Sequence, residues 1–235
     1  MILNLSKASE AVIRLVFPEE CVICKHTLSL SNRYLCPRCQ TKTRQQLLPP
    51  LAALMPKQPG FADHIWSLYA YQGLIKGLIT EIKFHQNPGL LQPLIDLAKP
   101  LTEIIFSETD YDDVLCIPTS PFKKIERFFN PAEEIMLLLK KNRRININTS
   151  FLKKKWGVPS QMQLNQQERL ANLFGAFKMV GSINGRMQNV LIIDDIYTTG
   201  ATVNEAARIL KNAGAGRVDI LTLARTVTQT NESLK

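Results

Sequence analysis

The sequence lacks several features that would place it in a membrane-bound, secreted or common nucleotide-binding class. It contains no run of about 18 uncharged apolar residues, the length that a membrane-spanning helix requires. The apolar stretch at residues 11–17 contains Arg14, is followed by Pro18 and has no small-residue cleavage pattern, which disfavours a secretory signal. The Walker A and G-x-G-x-x-G loops are also missing. We therefore expect a cytoplasmic protein without membrane insertion.

Cysteine is scarce, and its spacing is informative. Four of the five cysteines form two C-x-x-C pairs, Cys21 with Cys24 and Cys36 with Cys39. Two such pairs supply the four-sulfur tetrahedral shell that Zn²⁺ prefers at structural sites. Two disulfides are the alternative, but they are rare in the cytoplasm, and pairing within so tight a cluster would be strained. We predict a structural Zn²⁺ site in a small ribbon and, for Cys116, a buried strand position.

The order of apolar patterns predicts a small N-terminal module followed by a larger α/β module. Residues 1–46 are assigned to a short amphipathic helix and the zinc ribbon, and residues 47–60, which contain four prolines, to a linker with neither helix nor central strand. Residues 61–235 form the larger module. Its predicted strands are 64–71, 114–117, 189–193 and 218–224, and its predicted helices are 73–84, 90–106 (interrupted near Pro100), 130–139 and 203–213. This alternation predicts a doubly wound parallel sheet with helices on both faces.

The stretch at residues 190–202, VLIIDDIYTTGAT, combines a buried strand with a polar loop at the start of a helix. Such a loop offers free backbone N–H groups, hydroxyls from its threonines and close backbone approach at Gly200, which suit a phosphate monoester. Asp194 and Asp195 would repel a phosphate unless they engage ribose hydroxyls or Mg²⁺. A helix-capping turn would explain one acid and one threonine, but it would not explain the whole cluster.

These residues resemble the phosphoribosyl-pyrophosphate (PRPP) loop of type I phosphoribosyltransferases, and with the four-cysteine ribbon the chain resembles the ComF family of competence proteins. The resemblance implies a type I phosphoribosyltransferase-like sheet that binds PRPP with Mg²⁺. Asp194 and Asp195 would hold the ribose hydroxyls, and the 5′-phosphate would lie on Thr198, Thr199, Gly200, Ala201 and Thr202. The resemblance also implies pyrophosphate-side candidates, which are Lys83, Arg127, Thr119 and Ser120.

The chain departs from the family pattern at two glycines. The family usually has Lys-Phe-x-Gly-Asp where this chain has Gln86 at the glycine, and Arg-Gly-Phe-Asn-Gln where it has Phe128 at the glycine. Glycine marks a permissive backbone conformation or a close approach to a ligand. The sequence therefore predicts PRPP binding and leaves PRPP turnover open, since no residue identifies an acceptor.

Between residues 121 and 156 the chain has ten Lys or Arg against three acids. Such charge is typical of a nucleic-acid contact or of an ordinary solvated face. The family resemblance implies a role in natural transformation, with single-stranded DNA and DNA-uptake or recombination proteins as partners. An active phosphoribosyltransferase is the alternative function. The candidate contacts are Lys140, Lys141, Arg143, Arg144, Lys153, Lys154 and Lys155, with Phe128, Phe129 and Trp156 as aromatic neighbours that either stack on bases or pack in the core.

Overall fold

The computed structural model describes residues 18–55, 60–119, 128–141, 143, 145–149, 151–154, 175–181 and 188–227. The predicted helix at residues 1–17 and Trp156 lie outside these residues. The helices are α1 (Pro37–Arg44), α2 (Pro50–Ala53), α3 (Gly73–Phe84), α4 (Leu91–Leu97), α5 (Lys99–Glu108), α6 (Pro131–Lys140) and α7 (Ala201–Asn212), with a 3₁₀ turn at Pro88–Leu90. The strands are β1 (His64–Ala70), β2 (Asp113–Cys116), β3 (Leu152–Lys154), β4 (Phe177–Met179), β5 (Asn189–Tyr197) and β6 (Arg217–Arg225).

Four strands form the predicted parallel sheet, in the order β1-β6-β5-β2, while β3 and β4 pair as a separate antiparallel hairpin. Alternate residues of β5 contribute to two apolar clusters. Leu191 and Ile193 pack with residues of α3 to α6 and of the cysteine module, whereas Val190 and Ile192 pack with α7. The sheet is thus covered on both faces, as a continuous apolar strand requires. Within the described residues, no helix has the length and apolarity needed to cross a bilayer.

Several predicted boundaries shift in the structure. Strand β5 extends to Tyr197, so the two acids lie within the strand and not in the loop beyond it. Helix α7 begins two residues earlier than predicted, at Ala201. The predicted helix at residues 90–106 is divided at Ala98 into α4 and α5, because Pro100 lies in the first turn of α5, where its missing N–H has no intrahelical role. Cys116 is buried on β2, as predicted.

The proline-rich segment lies along the edge of β1. Leu47 and Leu54 form antiparallel bridges to Tyr69 and Trp66, and the Leu48 N–H donates to the Leu68 carbonyl at 2.9 Å. The prediction that this segment contains no helix is wrong, since Pro50 starts the single turn of α2. By pairing with β1, the segment protects an edge that would otherwise present unpaired backbone groups.

A buried carboxylate, Asp219, lies near the amino end of β6, whereas the acid pair lies towards the carboxyl end of β5. The Asp219 side chain has 0% exposure and accepts hydrogen bonds from Tyr111 Oη at 2.8 Å and Arg217 Nε at 2.9 Å. His64 Nδ1 lies 3.2 Å from its other oxygen. Buried charge is stable only when it is paired and hydrogen-bonded, so this network explains how an acid occupies a central strand.

Both positions where the family pattern has glycine adopt a left-handed backbone conformation. The φ angle is 52° at Gln86 and 60° at Phe128. Gln86 follows the C-cap of α3, a place where helices commonly end with a left-handed glycine. Of the two meanings that a glycine can have at these positions, the structure shows the unusual backbone conformation at both Gln86 and Phe128.

Gln86→Gly and Phe128→Gly are each expected to raise the free energy of unfolding by about 0.5 to 1 kcal/mol, because glycine relieves the left-handed strain but gains entropy in the unfolded chain. Little packing is lost, since Phe128 is 78% exposed. Urea denaturation of each variant measures the change. Asn87→Gly is the matched control, because Asn87 has a φ of −109° and glycine there should destabilise the protein. Destabilisation by all three changes would contradict the prediction.

Candidate functional site

The four paired cysteines lie together in the N-terminal module. Their Sγ atoms are all within 4.8 Å of one another, and the sulfurs of Cys24 and Cys36 are 3.7 Å apart. Four sulfurs bound to one Zn²⁺ at about 2.3 Å are separated by about 3.8 Å, so the cluster has the size of a tetrahedral metal site. The Sγ-bearing side chains of Cys21, Cys36 and Cys39 are buried, whereas Cys24 is exposed. These four residues are positioned to bind a metal ion.

The backbone around the cluster favours thiolates at part of the site. A tight turn after the first pair is closed by hydrogen bonds from the Cys21 N–H to the His26 carbonyl and from the Lys25 N–H to the Cys21 carbonyl, both at 2.8 Å. Burial opposes ionisation of Cys21, but the N–H groups of Cys36, Cys24 and Ile23 outweigh it and lower the pKa of this thiol to about 6. Burial and hydrogen bonds from the other cysteines raise the pKa of Cys39. A metal ion would remove this conflict by ionising all four thiols.

The cysteine module is joined to the helix that carries Lys83. Leu35, between the two pairs, has 0% exposure and belongs to the same apolar cluster as α3 and α4. Beyond α1, Gln46 Oε1 accepts a hydrogen bond from the Ile75 N–H at 3.2 Å, in the first turn of α3. This bond satisfies one of the unpaired N–H groups at the start of the helix.

The acid pair at the end of β5 is held by a lysine from α3. Lys83 Nζ lies 2.6 Å from Asp195 Oδ2, and the side chains of both residues are at most 20% exposed. The Asp194 carboxylate accepts a hydrogen bond from the Asp195 N–H at 2.8 Å. The structure thus brings together three residues that were predicted for the site from two distant parts of the sequence.

Ionising both acids is costly. Burial and the neighbouring charge of Asp195 raise the pKa of Asp194 to about 8, and the positive charges of Lys83 and Lys154 only partly oppose this shift. Lys154 lies on β3, so the hairpin places a second cation near the acids, a role that its position in the basic stretch did not reveal. Because the two lysines do not fully offset the burial and mutual repulsion of the acids, the site favours a ligand that brings additional positive charge or hydroxyl donors.

The threonine loop follows directly and leads into α7. Thr198 and Thr199 are exposed, and Gly200, with a φ of 74°, is the N-cap of the helix. The Gly200 carbonyl already accepts the N–H of Asn204 at 2.8 Å, while the hydroxyl of Thr199 lies 3.4 Å from the Ala201 N. The helix has no acid in its first turn, so Ala201 and Thr202 present N–H groups at the positive end of its dipole.

The loop after β2 emerges beside the acids. Strand β2 pairs with β5 up to Cys116 and Ile193, and the Ile117 N–H donates to the Ile193 carbonyl at 2.9 Å. Half-buried Thr119 follows at the same edge of the sheet. Asn130, the N-cap of α6, donates from Nδ2 to the Ile117 carbonyl at 2.9 Å and so fixes this edge. The remaining pyrophosphate-side candidates, Ser120 and Arg127, lie outside the described residues.

The basic stretch is divided between two faces of the sheet. Lys140 and Lys141 end α6, which packs on the face of α3 to α5, whereas Lys153 lies on the β3–β4 hairpin, which packs on the face of α7. Arg143 is engaged inside the fold: its guanidinium donates to Glu103 at 2.7 Å and stacks 4.4 Å from the Phe106 ring centroid. Its side chain is only 12% exposed. Arg144 and Lys155 lie outside the described residues.

Two contributions to the site were not identified from sequence. Asn130 was placed inside the helix at residues 130–139, although an Asn-Pro pair is typical of an N-cap, and its bond to the Ile117 carbonyl had no signal in the sequence. No role was predicted for Tyr197, which lies within the stretch 190–202. In the structure it is buried next to Gly200.

Comparison with known proteins supports the assignment of the domain. The model of the phosphoribosyl transferase domain family matches residues 131–235, which include the acid pair, the threonine loop and α7. Competence protein ComFC of Streptococcus pneumoniae is 28% identical over 87% of both chains. DNA utilization protein YhgH of Escherichia coli (strain K12) is 24% identical over 91% of this chain and 100% of its own length. Competence protein F of Haemophilus influenzae is 23% identical over 89% of this chain and 98% of its own.

Adenine phosphoribosyltransferase from Saccharomyces cerevisiae is among the solved structures similar to this chain; it is 17% identical, with a TM-score of 0.35 over 82% of this chain and 99% of that one. The fold assignment depends on the family match and on the parallel sheet flanked by helices. Because the cysteine cluster precedes this domain and the curated relatives span nearly the same length, the predicted resemblance is confirmed: the chain is similar to ComF competence proteins and has a type I phosphoribosyltransferase fold.

Proposed function

We propose that this protein binds PRPP with Mg²⁺ at the carboxyl end of β5 and uses this binding in handling single-stranded DNA during natural transformation. One observation carries the proposal. The Asp194–Asp195 pair, with Lys83 paired to Asp195, lies just before a threonine loop at the start of α7. Acids and phosphate-binding N–H groups on one short segment suit a ligand that has both hydroxyls and a phosphate.

The acids and the lysine would act on different parts of the ligand. Asp194 and Asp195 would accept hydrogen bonds from the ribose hydroxyls, and the loop from Thr198 to Thr202 would hold the 5′-phosphate. Lys83 would turn from Asp195 towards the pyrophosphate, near Thr119. Mg²⁺ supplies charge neutralisation on the pyrophosphate when it is bound.

An active transferase is the alternative. In that reaction the bond between C1 of the ribose and the pyrophosphate oxygen breaks, pyrophosphate leaves with the electron pair, and a nucleophile captures the oxocarbenium-like carbon. The protein would contribute positioning and charge stabilisation. Because the described residues identify no acceptor, binding is the function that we propose, and a pyrophosphate-release assay separates the two alternatives.

The DNA-handling part of the proposal has two kinds of support. The curated relatives carry the names DNA utilization protein and competence protein. The chain has a formal net charge of +9, and Lys140, Lys141 and Lys153 are exposed. Exposed lysines attract single strands because binding to phosphates releases counterions.

We also propose that the metal at the four cysteines is Zn²⁺ with a structural role. Four sulfur ligands complete a tetrahedral shell and leave no position for water, as in closed structural sites. The cluster adjoins Leu35 and the apolar core, so the metal would stabilise the packing of the module on the sheet.

Asp194→Asn with Asp195→Asn is expected to weaken Mg²⁺–PRPP binding at least tenfold, because neutral amides are poorer acceptors for ribose hydroxyls. A tenfold change corresponds to about 1.4 kcal/mol. Isothermal calorimetry measures the affinity. Asp96→Asn with Asp110→Asn is the matched control, since it makes the same charge change at exposed positions. Equal affinities of wild type and the Asp194–Asp195 variant would refute the assignment of the acids.

Reversing Lys140, Lys141 and Lys153 to Glu is expected to lower single-stranded DNA affinity at least tenfold and to reduce the slope of log affinity against log salt by about 2. Fluorescence anisotropy at several salt concentrations measures both. The control variant reverses Lys42, Lys76 and Lys99, which are equally exposed and change the net charge by the same amount. Similar losses in both variants would show that net charge, and not these three positions, governs binding.

Cys36→Ser is expected to release the metal and to lower the free energy of unfolding by several kcal/mol, because the binding energy of a structural zinc is also folding energy. Elemental analysis and thermal denaturation test this expectation. Cys116→Ser is the control, since this buried cysteine lies outside the cluster and its variant should keep one zinc per chain. Wild-type protein with clearly substoichiometric zinc after purification without chelators would contradict the proposal.

A further inference from the structure

We infer that Tyr197 is a positioning residue for the phosphate loop, with its ring occupying the space that a side chain at position 200 would need. The inference deepens the proposed function and rests on it for the identity of the ligand. Tyr197 is the last residue of β5 and is only 8% exposed. Its role differs from that of the acids, because it acts on the shape of the loop.

The steric argument rests on three short distances. A Cβ atom added to Gly200 would lie 2.3 Å from the Tyr197 hydroxyl oxygen, 2.6 Å from Cζ and 2.8 Å from Cε2. The tyrosine ring therefore lies directly against the loop backbone at its left-handed turn, where φ is 74°. An alanine at position 200 would therefore have to adopt a left-handed backbone conformation and also displace the Tyr197 side chain.

The backbone of Tyr197 is fixed by the neighbouring central strand. Tyr197 is paired with Arg225 in the β5–β6 register, and its carbonyl accepts the Thr226 N–H at 3.0 Å. Its side chain is buried and belongs to the same apolar cluster as Ala201 and Val203, in the first turn of α7. A buried ring at the junction of β5 and α7 can support the turn between them.

The consequence for ligand binding follows from the geometry of the helix start. The N–H groups of Ala201 and Thr202 converge on one anion only if the chain turns sharply at Gly200. With the ring removed, the turn would lose its support, and the loop would have to be ordered at the expense of binding energy.

The test is a double-mutant cycle read by PRPP calorimetry with Mg²⁺. Tyr197→Phe should keep affinity within about threefold, because it keeps the ring, whereas Tyr197→Ala should lose at least tenfold. Gly200→Ala should also lose at least tenfold in the wild-type background, but at least fivefold less in the Tyr197→Ala background, because the collision is gone. Equal losses for Tyr197→Phe and Tyr197→Ala, or additive losses in the cycle, would overturn the inference.

A control separates loop positioning from general destabilisation. Leu210→Ala removes a fully buried side chain near the other end of α7 and should lower stability while leaving PRPP affinity near that of wild type. Loss of affinity in Leu210→Ala equal to that in Tyr197→Ala would also overturn the inference.

A failure of the proposed function would look different. If wild type binds no PRPP, the ligand assignment fails, and the steric coupling is still measurable by thermal unfolding. Gly200→Ala should then lower the melting temperature more in wild type than in the Tyr197→Ala background. Equal decreases would reject the coupling between Tyr197 and Gly200 independently of any ligand.

Discussion

The structure depends on one constraint: two adjacent carboxylates must remain at the end of a central strand whose preceding residues, 190–193, are fully buried. The fold meets this constraint by bringing Lys83 to 2.6 Å from Asp195 and by placing the hairpin lysine Lys154 near Asp194. Even so, the pKa of Asp194 stays raised, to about 8. Keeping a carboxyl group whose ionisation is disfavoured lowers the stability of the folded protein at neutral pH.

The cysteine module is connected to the acid pair through a series of contacts. The metal-sized cluster fixes the start of α1, Gln46 beyond α1 caps α3, and α3 carries the lysine that holds Asp195. The segment after Gln46 continues along the edge of β1 as far as Met55, whose N–H donates to the Ile65 carbonyl at 2.8 Å. The module and the sheet are therefore joined by backbone pairing as well as by a shared apolar cluster. The cysteine cluster and the acid pair are physically connected through this chain of contacts.

Local patterns predicted much of this fold, because they are set by residues close in sequence. The bounds of α3, the buried run of β5 and the four-cysteine cluster all follow from spacing and periodicity. The remaining features depend on long-range pairing. Asp219 can be buried because Tyr111, Arg217 and His64 surround its carboxylate. Arg143 is not part of the exposed basic surface, because it contacts Glu103 and Phe106. The extension of β5 through the acids was missed for the same reason: its pairing with β6 continues to Tyr197 and Arg225.

The two missing glycines also have a different meaning in three dimensions. In the sequence alone, Gln86 and Phe128 in place of the family's glycines suggest a changed backbone on the pyrophosphate side. Their φ angles of 52° and 60° show instead that both positions adopt the left-handed conformation for which glycine is suited. A residue other than glycine adopts this conformation at a cost of about 1 kcal/mol. Phe128 also places a phenyl ring that is 78% exposed two residues before Asn130. Asn130 donates a hydrogen bond to the Ile117 carbonyl, next to the acids. The two substitutions alone are therefore not evidence that the backbone of this region has changed.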